Sequence, residues 1–227
     1  MKYAAIVTDI EGTTSRISFV TDVLFPYAAA QLPQFIERQQ QVPEVAAELA
    51  ACRQLLNDDQ ASVAKIAAAL QQWIAEDRKY TPLKTLQGMV WQHGYQSGAF
   101  TGHVYADVPP ALQQWQQQGS KLYVYSSGSV QAQQLLFRHS DAGDLTPLFS
   151  GYFDTRIGAK REISSYAAIL QQLQLPPKQV LFLSDIVAEL DAASQLGIAT
   201  IQLVREGQPH GTHSVAQSFA QVQEHTQ

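Results

Sequence analysis

Apolar runs of strand length punctuate this chain at Tyr3–Val7, Lys121–Tyr125, Val180–Leu183 and Ala199–Val204, with a weaker one at Gly151–Asp154. The strong runs are almost continuously apolar and rich in β-branched residues, which is the pattern of strands covered on both faces. Between the later runs the period changes to helical, at Val130–Arg138, Ser164–Leu173 and Val187–Leu196. Gly119, Gly143 and Gly197 fall where helices would end. Strand alternating with helix predicts an α/β fold whose parallel strands are joined by right-handed crossovers.

One stretch breaks this rhythm. From Phe19 to Phe100 there is no convincing strand, and Ala, Leu, Gln and Glu dominate. Apolar residues recur at helical spacing: Val45, Leu49 and Cys52, then Val63, Ile66, Leu70 and Trp73. The expected organisation is therefore a core from residues 1–18 and 101–227, with a helical cap, residues 19–100, inserted after the first strand and seated above the strand ends. No repeat and no low-complexity linker interrupts either part.

Composition narrows the partners. The length of 227 residues suits one domain with an inserted lobe, or two small domains. A hydrophobic content of 45% allows a sizeable core. The formal charge is −5, and no Lys/Arg cluster is dense enough to follow a phosphate backbone, so nucleic acid is not expected as a partner. The single cysteine, Cys52, cannot form an intrachain disulfide and is compatible with a reducing cytosol. The N-terminal apolar run is interrupted by Asp9 and Glu11, unlike a signal peptide. No stretch approaches the roughly 20 apolar residues that span a bilayer, so no membrane partner is expected.

Chemistry concentrates in four places, each at or just past an expected strand end. The first is Asp9-Ile10-Glu11-Gly12-Thr13, directly after the first apolar run. The second is Ser126-Ser127-Gly128, the third Lys160 in Gly158-Ala159-Lys160-Arg161-Glu162, and the fourth Ser184-Asp185, with Glu189 and Asp191 following. Two carboxylates at one strand tip repel each other unless a cation or a shared proton lies between them. In open α/β sheets that end of the strands is where ligands bind. A phosphoryl group needs an in-line nucleophile, and a carboxylate can serve through an acyl phosphate. Its charge calls for Mg²⁺, which prefers oxygen ligands and keeps several waters; Asp9, Asp185 and the backbone carbonyl of Glu11 can supply the protein's share. Ser126, the backbone N–H groups near Ser127 and Gly128, and Lys160 can donate to the phosphate oxygens. Glu11 can protonate the leaving oxygen and then deprotonate the attacking water.

These blocks are similar, in type, order and strand context, to the haloacid dehalogenase-like phosphatase superfamily. Further stretches resemble one family within it, enolase-phosphatase E1. They are Asp9-Ile10-Glu11-Gly12-Thr13-Thr14, Ile17-Ser18-Phe19-Val20, Asp22-Val23-Leu24-Phe25-Pro26-Tyr27, Leu86-Gln87-Gly88, Trp91, Gly94-Tyr95, Gly102-His103-Val104-Tyr105 and Asp107-Val108-Pro109. In the superfamily the second acid is usually Asp, and Glu at that position marks this family. Where a Thr-Pro pair would be expected after the first motif, the chain has Ser15-Arg16, close enough to affect the site mouth.

The resemblance implies a Rossmann-like core of the haloacid dehalogenase type with an inserted helical cap. It implies a cytoplasmic, monomeric, Mg²⁺-dependent phosphoric monoester hydrolase with one ion per subunit. The implied substrate is a small phosphorylated diketone of methionine salvage, 2,3-diketo-5-methylthiopentyl-1-phosphate, first enolised and then dephosphorylated. Carried over by position, Asp9 is nucleophile and metal ligand, and Glu11 is a carbonyl ligand and acid/base. Ser126, Ser127 and Gly128 bind phosphate or substrate, Lys160 steadies nucleophile and phosphate, and Asp185 binds metal.

Other readings stand beside this one. A phosphatase for another small metabolite, or a phosphomutase, would use the same generic site. A non-catalytic binding protein is disfavoured by the intact Asp9, Glu11, Lys160 and Asp185. A dehalogenase needs neither Mg²⁺ nor a second acid. Ser126-Ser127-Gly128 also suits a helix cap, and Glu189 and Asp191 suit either the metal's waters or a solvated helix face. His93 and His103 are open between proton transfer in enolisation and structural roles. Trp91 and Tyr95, one helical turn apart, suit core packing, and Phe25 and Tyr27 suit core packing or contact with the methylthio tail.

Overall fold

A computed structural model describes residues 3–226 of the chain. Met1, Lys2 and Gln227, counted in the expected core, lie outside the described residues. The chain divides into two compact units, one formed by Met1–Ile17 with Thr101–Gln227 and the other by Ser18–Phe100.

The first unit is built on a six-stranded sheet in which every pairing is parallel. Its strands are β1 (Ala5–Thr8), β2 (Lys121–Tyr125), β3 (Gly151–Phe153), β4 (Val180–Ser184), β5 (Ala199–Leu203) and β6 (Ser214–Ala216). They lie in the order β3-β2-β1-β4-β5-β6. β1 is flanked on both sides, with Thr8 opposite Val124 of β2 and Leu183 of β4. The chain leaves β1 toward one neighbour and returns to the other, so the carboxyl end of β1 is the topological switch point where such sheets bind ligands. All four residues of β1 are buried.

The helices of this unit are α5 (Val108–Gln117), α6 (Val130–Arg138), α7 (Ile163–Leu173), α8 (Val187–Ser194) and α9 (Phe219–Thr226). Ala5, Val7, Tyr125 and Phe182 from the strands form one core cluster with Tyr166 and Ile169 of α7 and Leu190 and Ala193 of α8. Ile6, alternating with Ala5 and Val7, points to the other face. Trp115 of α5 packs against Phe219 of α9 with ring centroids 5.2 Å apart. Fully burying a large apolar side chain contributes about 1.5–3 kcal/mol, and these residues supply many such terms.

The second unit begins with a π-helical turn, Val20–Leu24, and continues through α1 (Phe25–Gln39), α2 (Pro43–Leu55), α3 (Val63–Ala75) and α4 (Thr81–Gln96). Its own core collects Leu32, Ile36, Val45, Leu49, Cys52, Ile66, Leu70, Trp73, Leu86 and Val90. Ser62 caps α3 by accepting from the Lys65 N–H at 3.2 Å. Among the described residues, no helix is long and apolar enough to cross a membrane.

Several sequence expectations shift. The first strand runs Ala5–Thr8, not Tyr3–Val7, so Thr8 carries the ladder up to Asp9. Gly143 does not end a helix: α6 stops at Arg138, and Gly143, at φ +88°, sits in a turn closed by its N–H on Ser140 O. β6 has no counterpart in the sequence pattern, because a three-residue Ser-Val-Ala strand carries no periodicity to read.

Candidate active site

Asp9 is the first residue past β1. Its N–H donates to Leu183 O at 2.9 Å, which extends the β1–β4 ladder, and its side chain is buried. The chain then turns sharply, because Ile10 O accepts the N–H groups of Thr13, Thr14 and Ser15. Gly12 makes this possible. Its φ is +70°, and a Cβ there would run into the carboxyl group of Asp185. The close approach brings the loop after β1 against the residue that follows β4.

Lys160 is the cation of the site. Its Nζ lies 2.5 Å from Asp9 Oδ1 and 2.7 Å from Glu189 Oε2, with the whole residue only 7% exposed. Three hydroxyls pin the loop that delivers it. Tyr125 donates to Gly158 O at 2.9 Å, Ser165 to Ala159 O at 2.7 Å and Tyr166 to Lys160 O at 2.6 Å. Gly158, at φ +134°, lies so close to Ser165 that a side chain would collide with its hydroxyl. Burial pushes the Lys160 pKa down, but the carboxylates of Asp9 and Glu189 overcome this and hold it above the usual value. Lys160 is a fixed positive charge.

Glu11, half-buried, is held by Ser126, whose hydroxyl donates to Glu11 Oε2 at 3.4 Å and accepts the Gly128 N–H at 3.1 Å. Burial raises the Glu11 pKa and the negative charge of Asp9 adds to it, against the opposing pull of Lys160. Such a carboxyl group is suited to giving and retaking a proton. Helix α6 is capped by Ser129, which accepts from the Ala132 N–H at 3.2 Å. The Ser126-Ser127-Gly128 turn is therefore not needed as the cap. Ser127 is exposed on that turn.

Glu189 belongs inside the site. It is buried, pairs with Lys160 and accepts the Ser184 hydroxyl at 2.8 Å, so the solvated-face reading fails for it. Asp191 is the solvated one: it is 55% exposed at its side chain and pairs with His213 at 2.9 Å.

Asp9, Asp185 and Glu189 are three buried acids near one buried lysine. Burial, then Asp9 and Glu189, push the Asp185 pKa up to about 7. Burial and Asp9 likewise push Glu189 up to about 7. This surplus of negative charge, presented entirely by hard oxygen donors, fits a small divalent cation. Among the described residues no group of three His, Cys, Asp or Glu side chains forms a ready-made metal cage. Mg²⁺ does not require one, since it takes one or two carboxylates and keeps several waters.

A family model for haloacid dehalogenase-like hydrolases matches residues 3–197. An enolase-phosphatase E1 of Pseudomonas aeruginosa (strain UCBPP-PA14) is 57% identical over 98% of this chain and 99% of its own length. One from Azotobacter vinelandii is 52% identical over 98% of each. The chain belongs to the enolase-phosphatase E1 family. Among solved structures, the UTR4 protein of Saccharomyces cerevisiae matches with a TM-score of 0.81 at 37% identity, over 96% of this chain and 99% of that one. The L-2-haloacid dehalogenase of Xanthobacter autotrophicus matches with a TM-score of 0.60 at 17% identity, over 98% of this chain and 97% of its own, which shows the shared fold alone.

Sequence reasoning missed part of what this enolase-phosphatase E1 family chain uses to hold its first loop. Arg205 donates from Nε to Thr13 O at 2.8 Å while its guanidinium grips Asp107 at 2.9 and 3.0 Å. A lone arginine near the C-terminus gives no signal of this. The remaining aromatic and histidine candidates take defined places. Trp91 Nε1 donates to Leu24 O at 2.8 Å, and Tyr95 is buried edge-on against Phe100, both inside the helical unit. Tyr27 meets the same Phe100 ring at 4.9 Å, and Phe25 packs at the edge of that unit's core. His93 is exposed. His103 accepts the Arg16 N–H at Nδ1, 3.1 Å away, so that nitrogen is unprotonated. Burial and the Arg16 charge push its pKa down.

Proposed function

We propose that the protein is the enolase-phosphatase of methionine salvage, acting on 2,3-diketo-5-methylthiopentyl-1-phosphate. The observation that carries this reading is the assembly at the end of the central strand, where the Lys160 ammonium lies against Asp9 Oδ1 two residues before Glu11. The relatives' name, enolase-phosphatase E1, supports both reactions.

In this reading the Asp9 carboxylate attacks phosphorus, and the bond from phosphorus to the substrate oxygen breaks. Glu11 gives its proton to that oxygen. The Glu11 carboxylate then takes a proton from water, whose oxygen attacks the aspartyl-phosphate and frees phosphate and Asp9. Lys160 offsets charge on Asp9 and on the phosphoryl oxygens. Ser126, Ser127 and Gly128 hold the phosphate. Asp9, Asp185 and the Glu11 carbonyl would hold one Mg²⁺, which when bound neutralises phosphate charge and polarises oxygen. Glu189 fixes Lys160 through its ion pair. In the enolisation that comes first, a proton leaves the carbon beside a carbonyl and another joins the carbonyl oxygen, with Glu11 or a residue of the inserted unit moving it. In this reading the inserted unit takes part in the choice of the diketone. The reading places the enzyme in the cytoplasm as a monomer. The one thiol, Cys52, is buried and pushed up to about 11 by burial and by Glu48, which leaves it unreactive.

The deciding experiment is product analysis with the diketone phosphate, following the enol by ultraviolet absorbance and released phosphate separately. The parent enzyme is expected to yield both signals in sequence. Asp9→Asn should abolish phosphate release, since an amide is a poor nucleophile. Phosphate turnover within about tenfold of the parent, roughly 1.4 kcal/mol of barrier, would remove Asp9 as nucleophile.

A further inference from the structure

The turn Ser126-Ser127-Gly128 needs a fixed backbone if it is to present N–H groups to an anion, yet neither proline nor a disulfide stiffens it. The Ser126 hydroxyl ties the turn from within by accepting the Gly128 N–H at 3.1 Å, and a buried amide ties it from outside. Gln133, one turn into α6 and 1% exposed, donates from Nε2 to two carbonyls at once, Gly128 O and Phe153 O, each at 2.8 Å. Phe153 O also accepts the N–H of Ser126 at 3.2 Å. Both ends of the turn are thus tied to one point at the tip of β3.

The direction of the amide is settled by chemistry. Reversed, its oxygen would face two carbonyl oxygens, so only the orientation with Nε2 toward them is stable. Gln133 Oε1 then finds no donor among the described residues. An apolar side chain of similar size would avoid that penalty but would take this donor from the Gly128 and Phe153 carbonyls, so the amide is there for the two carbonyls it holds. What the amide accomplishes is local. It turns the Gly128 carbonyl inward, and across a trans peptide the Ser129 N–H must point the opposite way. A Gly128 carbonyl free to swing would present a negative oxygen to the phosphate. The next residue is held too: Asp154, directly after β3, accepts the Val130 N–H at 3.3 Å and the Arg156 N–H at 2.9 Å. Asp154 opens the segment that leads to Lys160, so one strand tip anchors two of the groups assigned to phosphate.

We infer that Gln133 is a positioning residue for phosphate: its double hydrogen bond sets the backbone of the 126–128 turn for anion binding. This rests on the proposed reading of that turn as the phosphate loop.

The probe is inorganic phosphate as a competitive inhibitor of turnover, with Gln133→Met keeping the volume and removing both donors. The inhibition constant for phosphate and the KM of the phosphate ester should rise together, roughly ten- to hundredfold. The Mg²⁺ concentration for half-maximal activity should stay at the parent value, because Gln133 touches none of the proposed ligands. A merely structural role would lower the melting temperature and leave the inhibition constant unchanged, which would overturn the inference. Phosphate that fails to inhibit the parent chain overturns the loop assignment and the clamp together. Phosphate that inhibits both chains alike overturns the clamp alone. Should Gln133→Met fail to fold, the side-chain amide protons of Gln133 in the parent decide the matter by NMR. Both should exchange slowly with solvent, and exchange as fast as that of an exposed glutamine would overturn the inference.

Discussion

Replacing Lys160 by Met removes the cation that bridges Asp9 and Glu189. At an effective dielectric of about 20, contacts of 2.5 and 2.7 Å each correspond to about 6–7 kcal/mol of Coulomb attraction. Releasing the ammonium from its own burial recovers part of this, and breaking a buried pair from one side typically costs about 3–5 kcal/mol. The variant should therefore fold, with a melting temperature lower by roughly 6–20 °C at pH 8 for a protein of this size. Without the lysine, Asp185 and Glu189 lose the charge that opposes their upward shift. Protonation then becomes the substitute remedy, so the loss should shrink as pH falls to about 5.5. Phosphate turnover should fall by about 10²–10³. The assay is thermal unfolding at both pH values, without and with Mg²⁺, alongside phosphate release. A loss below about 1 kcal/mol at pH 8 with normal turnover, or an equal loss at both pH values, would refute the reasoning.

Glu11→Gln should slow phosphate release by roughly 10²–10⁴. With an activated ester whose leaving group needs no proton, it should accumulate an acid-stable phosphoenzyme; normal turnover with none trapped would end the acid/base assignment. In the parent without Mg²⁺, stability should fall as pH rises from about 4 toward 7. Burial and neighbouring acids push Asp185 and Glu189 up to about 7, well above the ordinary carboxylate range, so the folded state binds more protons in that window and loses the benefit as they ionise. Added Mg²⁺ should flatten that slope, and a urea-midpoint series with the same slope in both conditions would contradict it. Replacing about Val20 to Ser97 by a short linker should remove enolisation of the diketone while sparing some hydrolysis of a small activated phosphate. A folded capless chain that enolises at the parent rate would show that the inserted unit takes no part.

The parallel α/β core and the helical insert are legible in the string of residues, and so are the four polar motifs proposed for the site. Near-continuous apolar runs mark strands buried on both faces, helical periodicity marks the insert, and paired acids at a strand tip are costly without a cation. Those signals are local, and each survives in a string of letters. The strand order was decided only in three dimensions, and with it the meeting of Asp9, Lys160 and Glu189 from segments 29 to 180 residues apart along the chain. Glu189 and Asp191 look alike in sequence; a two-residue step turns one to the buried lysine and the other to solvent. Gln133 is one glutamine among many, and only the fold places its amide between two carbonyl oxygens from different strand ends. Local patterns report which faces are buried, whereas an ion pair or a hydrogen bond depends on distances that only packing of distant segments creates.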